Sequence, residues 1–194
     1  MPRYAGLRHL LASLLAFVAL AAPWNAQAIT ISPEEAGVAN FGQVNDNYFR
    51  GAQPDQEAIE RLHELGIRTV IDLQEYPVLD ESTWTHTAGL KYFNIPLSGS
   101  RPASDAQTAR FLELVNDPQN WPVYVHCHVG RHRTGEMTGI YRIAHDSWTA
   151  DQAYAEMLEF GYYSFPNHGS LRQHVFSYYD THHASVADVA APAP

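Results

Sequence analysis

Apolar residues recur along the chain in two alternating rhythms. Compact runs rich in β-branched and aromatic residues predict strands at 47–51, 67–73, 91–96 and 123–126. Between them the apolar positions fall three and four apart, as on one face of a helix. Ile59, Leu62 and Leu65 precede a stop at Gly66, and Pro54 suits the first turn of that helix. A short helix ends at Gly89, and Ser98-Gly99-Ser100-Arg101-Pro102 is a loop by composition. Ser104 and Gln107 form a capping box ahead of Phe111, Leu112 and Val115, and Asn116-Asp117-Pro118 closes the segment. A helix over 134–144 follows. Thr149 and Gln152 cap another, carrying Tyr154, Met157 and Leu158 up to Gly161, and Leu171, Val175 and Tyr179 mark the last. Strands alternating with helices predict an α/β fold in which a central, mostly parallel sheet is flanked by helices, within a single domain.

The ends of the chain differ from this body. Arg3 and Arg8 precede an apolar run from Leu10 to Ala22, and Ala26-Gln27-Ala28 is a small-x-small cleavage site, so residues 1–28 read as a secretory signal. The run is shorter than the ~20 residues that span a bilayer, which leaves no stable membrane insertion after cleavage. No cysteine follows it to accept a lipid. The folded domain is therefore expected over 29–183, with an Ala/Pro-rich, unstructured tail over 184–194.

Charge narrows the partners. Lys+Arg number 12 against 21 Asp+Glu, a formal charge of −9, and the sole lysine is Lys91. Such a surface offers no basic stripe to a nucleic-acid backbone. Cys127 is the one cysteine, so an internal disulfide and a C-x-x-C site are both excluded.

The chemistry concentrates around that cysteine. In Val123-Tyr124-Val125-His126-Cys127-His128-Val129-Gly130-Arg131-His132-Arg133-Thr134-Gly135 a buried strand runs into a tight loop and then a helix. A cysteine at this junction has loop N–H groups around its sulfur and the positive end of a helix dipole nearby. Such surroundings lower a thiol pKa from ~8.5 to about 3.5–7.5 and make it a nucleophile at neutral pH. The same cradle suits a tetrahedral dianion. Arg133, six positions on, can grip two phosphate oxygens with its planar fork. Gly130 permits the positive φ of the turn. Thr134 adds a hydroxyl near the sulfur. His126, His128 and His132 lack the spacing of a helix-borne zinc pair, so no metal is expected.

The His126-Cys127-x5-Arg133-Thr134 pattern resembles the signature of the cysteine-dependent protein tyrosine and dual-specificity phosphatases. Asn40-Phe41, Tyr48-Phe49-Arg50-Gly51-Ala52-Gln53-Pro54 and Leu65-Gly66-Ile67-Arg68-Thr69-Val70-Ile71-Asp72-Leu73 extend the likeness to the plant and fungal atypical dual-specificity phosphatases and their bacterial secreted relatives. The resemblance implies a dual-specificity-phosphatase-like fold, Cys127 as a nucleophile that forms a phosphocysteine, and no cofactor. It implies that Arg133 clamps the phosphate within a loop of His128, Val129, Gly130, Arg131, His132 and Arg133. Thr134 would assist hydrolysis of the intermediate, and His126 would orient the loop and support the thiolate. The family's general acid is an aspartate on an earlier loop. Here that loop carries Ser100 where a bacterial relative's aspartate is expected, and its first carboxylate, Asp105, is the candidate acid, although a first-turn aspartate is also favoured by the helix dipole alone.

Three functions stay open at this level. The leading one is an exported, periplasmic phosphatase acting on phosphotyrosine and on phosphoserine or phosphothreonine in proteins. The second directs the same chemistry to a small metabolite, an inositol phosphate or pyrophosphate, with Arg131, His132 and Arg101 as a basic rim. The third is a module that binds phosphate without turnover. Trp84, Trp121 and Trp148 read as core and rim residues.

Overall fold

The computed structural model describes residues 31–189, so the expected signal and its cleavage site lie outside the described residues. Two elements precede those expected. Ser32 and Glu35 close a reciprocal capping box on the one-turn helix α1 (Pro33–Ala36), and β1 (Gly42–Asn45) pairs antiparallel with β2 (Tyr48–Gly51) across a turn at Asp46-Asn47. Both are too short to leave a periodic signal.

Helix α2 (Gln56–Glu64) starts two residues after Pro54. Asp55 is its N-cap, with a side-chain oxygen 2.8 Å from the Ala58 N–H, so Pro54 belongs to the incoming loop. Then come β3 (Thr69–Gln74), α3 (Glu81–Thr87), β4 (Lys91–Leu97), α4 (Asp105–Asn116), β5 (Val123–His126), α5 (Arg133–Asp146), α6 (Ala150–Glu159) and α7 (Gly169–Val189). The capping boxes at Ser104/Gln107 and Thr149/Gln152 form as the sequence predicts. Helix α7 runs through Val189, into the segment expected to be an unstructured tail. Ala184 and Ala187 favour helix, and the first helix-breaking proline is Pro192; residues 190–194 lie outside the described residues.

The strands form one sheet in the order β1-β2-β5-β3-β4, in which every pairing except β1–β2 is parallel. Both faces are covered, which is why the central strands read as continuous apolar runs. Alternation within each strand sorts the side chains. Tyr48, Ile71, Leu73, Val123 and Val125 pack with Phe111, Met137, Ile140 and Val175 on one face, whereas Phe49, Val70 and Tyr124 pack with Ala58, Ile59 and Leu62 on the other. Each such fully buried side chain stabilises the fold by about 1.5–3 kcal/mol.

This topology decides where chemistry can sit. Strand β5 lies between β2 and β3, and it runs on into α5 on one face of the sheet whereas β2 and β3 run on into α2 and α3 on the other. A crevice opens beyond their carboxyl ends, the usual ligand position in such sheets, and Cys127 is the first residue past the end of β5. No helix among the described residues is long and apolar enough to cross a membrane.

Candidate active site

The loop from Cys127 to Arg133 is held from behind by its carbonyl groups. Gln53 N–H donates to the His128 carbonyl at 3.3 Å. Asn40 Nδ2 donates to the carbonyls of Val129 (3.3 Å) and Gly130 (3.1 Å), and Arg50 Nη2 donates to Gly130 O at 3.0 Å. In a trans peptide the C=O of one residue and the N–H of the next point in opposite directions. With these carbonyls turned to the scaffold, the N–H groups of Val129, Gly130 and Arg131 turn into the concavity, which is thereby an anion cradle.

Gly130 makes this turn possible. It adopts φ +73°, and a Cβ there would come within 2.5 Å of the Gly51 carbonyl carbon and oxygen. The loop therefore rests directly on the backbone at the end of β2.

Cys127 is almost fully buried, 3% exposed, at the floor of the cradle. Burial pushes its thiol pKa up, but the Thr134 hydroxyl, the Arg133 charge and the N–H groups of Thr134 and Gly130 outweigh it and hold the pKa below the ordinary value. The Thr134 hydroxyl, itself buried, has no nitrogen or oxygen partner among the described residues. Its polar neighbour is the sulfur. Arg50, also fully buried, adds a positive charge beneath the loop with its guanidinium 3.9 Å from the centre of the Phe160 ring.

Behind Cys127 lies a buried ionic network that sequence reasoning did not find. His126 Nε2 is 2.7 Å from Glu81 Oε1 and its Nδ1 is 3.9 Å from Asp72 Oδ1. Burial alone would lower the imidazole pKa. The contact and charge of Glu81, then the charges of Asp72 and Cys127, raise it instead, which favours the protonated ring. Tyr92 donates to Asp72 Oδ2 at 2.9 Å, and Gln53 donates to Glu81 Oε2 at 3.0 Å while accepting from Gln74. The three ionisable groups lie close enough to one another to surround a cation, and His126 faces both carboxylates. His126 thus stands where the sequence places it, with partners drawn from β3 and α3.

Two other expectations meet a different geometry. His132, counted with the phosphate loop as part of a basic rim, is the N-cap of α5, and its ring stacks on His168 at 3.7 Å and meets Tyr163 edge-on at 4.4 Å. Burial, then the neighbouring His168, Arg131 and Arg133, push its pKa down to about 4, so at neutral pH it adds no cation to the rim. Asp105 occupies the first turn of α4 as expected, but it lines a cavity of about 350 Å³ between α4 and α7 with Leu112, His174 and Tyr178.

The loop before Asp105 is braced against the site. Arg133 Nη1 donates to Leu97 O (3.5 Å), His168 Nδ1 to Gly99 O (2.6 Å) and Ser170 Oγ to Ser100 O (2.7 Å). Buried Glu136 accepts from the Ala103 N–H (3.0 Å) and His174 Nδ1 (2.7 Å).

A lowered-pKa thiol in an amide cradle, with a guanidinium six residues on at a helix start, is the arrangement of the cysteine-dependent phosphatases. Residues 37–192 match the tyrosine phosphatase family, and the chain belongs to it. Within it the chain is similar to the atypical dual-specificity group. Inositol diphosphatase SIW14 of Saccharomyces cerevisiae is 29% identical over 157 residues, covering 77% of this chain and 54% of that protein. Dual specificity protein phosphatase TpbA of Pseudomonas aeruginosa is 29% identical over 165 residues, covering 81% of this chain and 74% of TpbA. The chain thus spans about half the length of SIW14 and three quarters of TpbA. The crystal structure of the SIW14 core catalytic domain with citrate superimposes with a TM-score of 0.65 at 26% identity, over 78% of this chain and 93% of that one.

Proposed function

We propose that the protein hydrolyses phosphate monoesters through a phosphocysteine, with phosphotyrosine in proteins as the preferred substrate and phosphoserine or phosphothreonine as poorer ones. The observation that carries this reading is Cys127 at the floor of a loop whose His128, Val129 and Gly130 carbonyls are tied back, leaving the amides and Arg133 to meet a phosphoryl group.

In the first step the Cys127 thiolate attacks phosphorus, an S–P bond forms, and the ester P–O bond breaks with its electron pair going to the leaving oxygen, which then takes a proton. The loop amides and Arg133 hold the three equatorial oxygens as charge shifts, the preorganised stabilisation that supplies most of such an acceleration. Water next attacks the phosphocysteine, releasing inorganic phosphate, and the sulfur leaves as a thiolate that the Thr134 hydroxyl stabilises. The lowered pKa of the thiol favours the thiolate, so the step assigns no separate base to it.

A second reading, an inositol diphosphatase, draws on the similarity to SIW14. Arg131 and Arg101 favour it, whereas the neutral His132 and the formal charge of −9 weaken the attraction for a polyanion. We further propose export to the periplasm with cleavage after Ala28, supported by the basic, apolar and small-residue segments of residues 1–28. Loss of the two arginines moves the formal charge from −9 to −11.

The deciding experiment measures phosphate release by purified protein from a phosphotyrosine peptide, a phosphoserine peptide, inositol hexakisphosphate and an inositol pyrophosphate. The reading expects the phosphotyrosine peptide to be turned over most efficiently. Turnover of the inositol pyrophosphate with none of either peptide would replace it with the second.

A further inference from the structure

Beside the phosphate loop lies a second concavity of about 320 Å³, lined by Gln53, Pro54, Asp55, Val78, Trp84 and His128. It is built from the connections that leave β2, β3 and β5, the three strands around the crevice, and His128 is the residue next to the nucleophile. Its parts are fixed. Gln53 is tied through its N–H to the His128 carbonyl and through its side chain to Glu81 and Gln74. Trp84 packs against the core under α2 and α3. A group anchored in the phosphate loop therefore has this concavity as a rigid neighbour.

Its chemistry is opposite to that of the loop. No lysine or arginine lines it. Asp55 is exposed, and only one of its oxygens is engaged, by the Ala58 N–H that it caps. The adjoining rim from Glu75 to Asp80 bears Tyr76 and Leu79, 84% and 95% exposed, between two carboxylates, of which Glu75 is 3.8 Å from the Arg101 guanidinium. A second phosphate placed in the concavity would face the Asp55 carboxylate with no lysine or arginine in the lining. A carboxylate, an indole and a short apolar wall in one lining are instead suited to an alkyl chain that ends in a positive charge, which can pack its stem on the apolar groups and pair with the carboxylate.

We propose that this concavity is a specificity subsite that receives a lysine or arginine side chain flanking the phosphotyrosine of a protein substrate. The proposal rests on the phosphatase reading above and selects its protein substrate over the inositol polyanion. Each contact is weak at a solvent-exposed site, so the combined effect is a preference rather than a requirement, about tenfold in kcat/KM.

The test compares phosphotyrosine peptides carrying lysine, alanine or glutamate at each of the two positions before and after the phosphotyrosine, with wild type and Asp55→Asn. Asparagine keeps an oxygen for the Ala58 N–H, so the helix cap survives while the charge goes. The readout is the lysine-to-glutamate ratio of kcat/KM within each protein, from which any general loss of activity cancels. At one position or more the ratio should be about tenfold or greater in wild type and should fall below about threefold in Asp55→Asn. A wild-type ratio near one at every position, or a ratio that Asp55→Asn leaves unchanged, overturns the subsite while the phosphatase reading stands. Failure of wild type to hydrolyse any peptide overturns both.

Discussion

His126 Nε2 and Glu81 Oε1 meet at 2.7 Å with neither side chain exposed to solvent. This pair lies one residue before Cys127 and ties the end of β5 to the start of α3, so one contact links the strand that carries the thiol to the packing of a helix. Removing one partner of such a pair leaves the other as an uncompensated buried charge, a loss of about 3–5 kcal/mol. Glu81→Gln should therefore lower the urea midpoint strongly. The histidine pKa is raised in the folded protein, so its contribution is complete below the unfolded value of ~6.5 and drains away as pH rises through the folded value. Urea titrations of both proteins from pH 6 to 9 should show the largest gap at the acid end. A gap that widens toward alkaline pH would contradict the raised histidine pKa.

Gly130→Ala should cost more than most single changes near the site. The new Cβ requires an unfavourable φ and collides with the backbone of Gly51 and Ala52, which cannot swing aside as a flexible side chain would. We expect at least a hundredfold loss in kcat/KM for p-nitrophenyl phosphate, and a melting temperature several degrees lower. Near-normal kinetics would mean that the amide cradle does not depend on this turn.

Thr134→Val keeps the volume of the side chain and removes the hydroxyl beside the sulfur. Because that hydroxyl helps hold the Cys127 pKa below its ordinary value, the thiolate should persist to lower pH in wild type than in the variant. The pH dependence of iodoacetamide alkylation measures this directly, with a midpoint shifted upward in Thr134→Val. An unshifted midpoint would remove Thr134 from the thiolate's support.

Asp105→Asn should have a small effect. With Asp105 in the cavity between α4 and α7, loss of a general acid worth about 10²–10⁴-fold is not expected. A series of aryl phosphates of graded leaving-group pKa should give an equally steep rate dependence in wild type and variant. A flat wild-type series that turns steep in Asp105→Asn would identify it as the acid.

The part of the site that could be read from the sequence is the part that is local. The strand, loop and helix around Cys127 follow one another within a few residues, and the capping boxes at Ser104 and Thr149 are three-residue patterns. What holds the loop is not local. Arg50 reaches Gly130 across 80 positions and Asn40 reaches it across 90, so neither shows a partner until β2 lies beside β5. Glu81 likewise reads as an ordinary first-turn acid until α3 packs against the sheet. The surroundings of His132 are hidden for the same reason: the rings packed against it come from 162–168. Short α1 and β1 carry too few residues for periodicity to register.

The account turns on a covalent phosphocysteine. Wild type and Cys127→Ser should be mixed with a phosphotyrosine peptide, quenched in acid within a single turnover and digested for mass spectrometry. We predict a phosphate on the peptide containing Cys127 in wild type and no turnover by Cys127→Ser, which keeps the amides and Arg133 and so still binds the substrate. Undiminished hydrolysis by Cys127→Ser, with no phosphate on the wild-type cysteine, would contradict the mechanism.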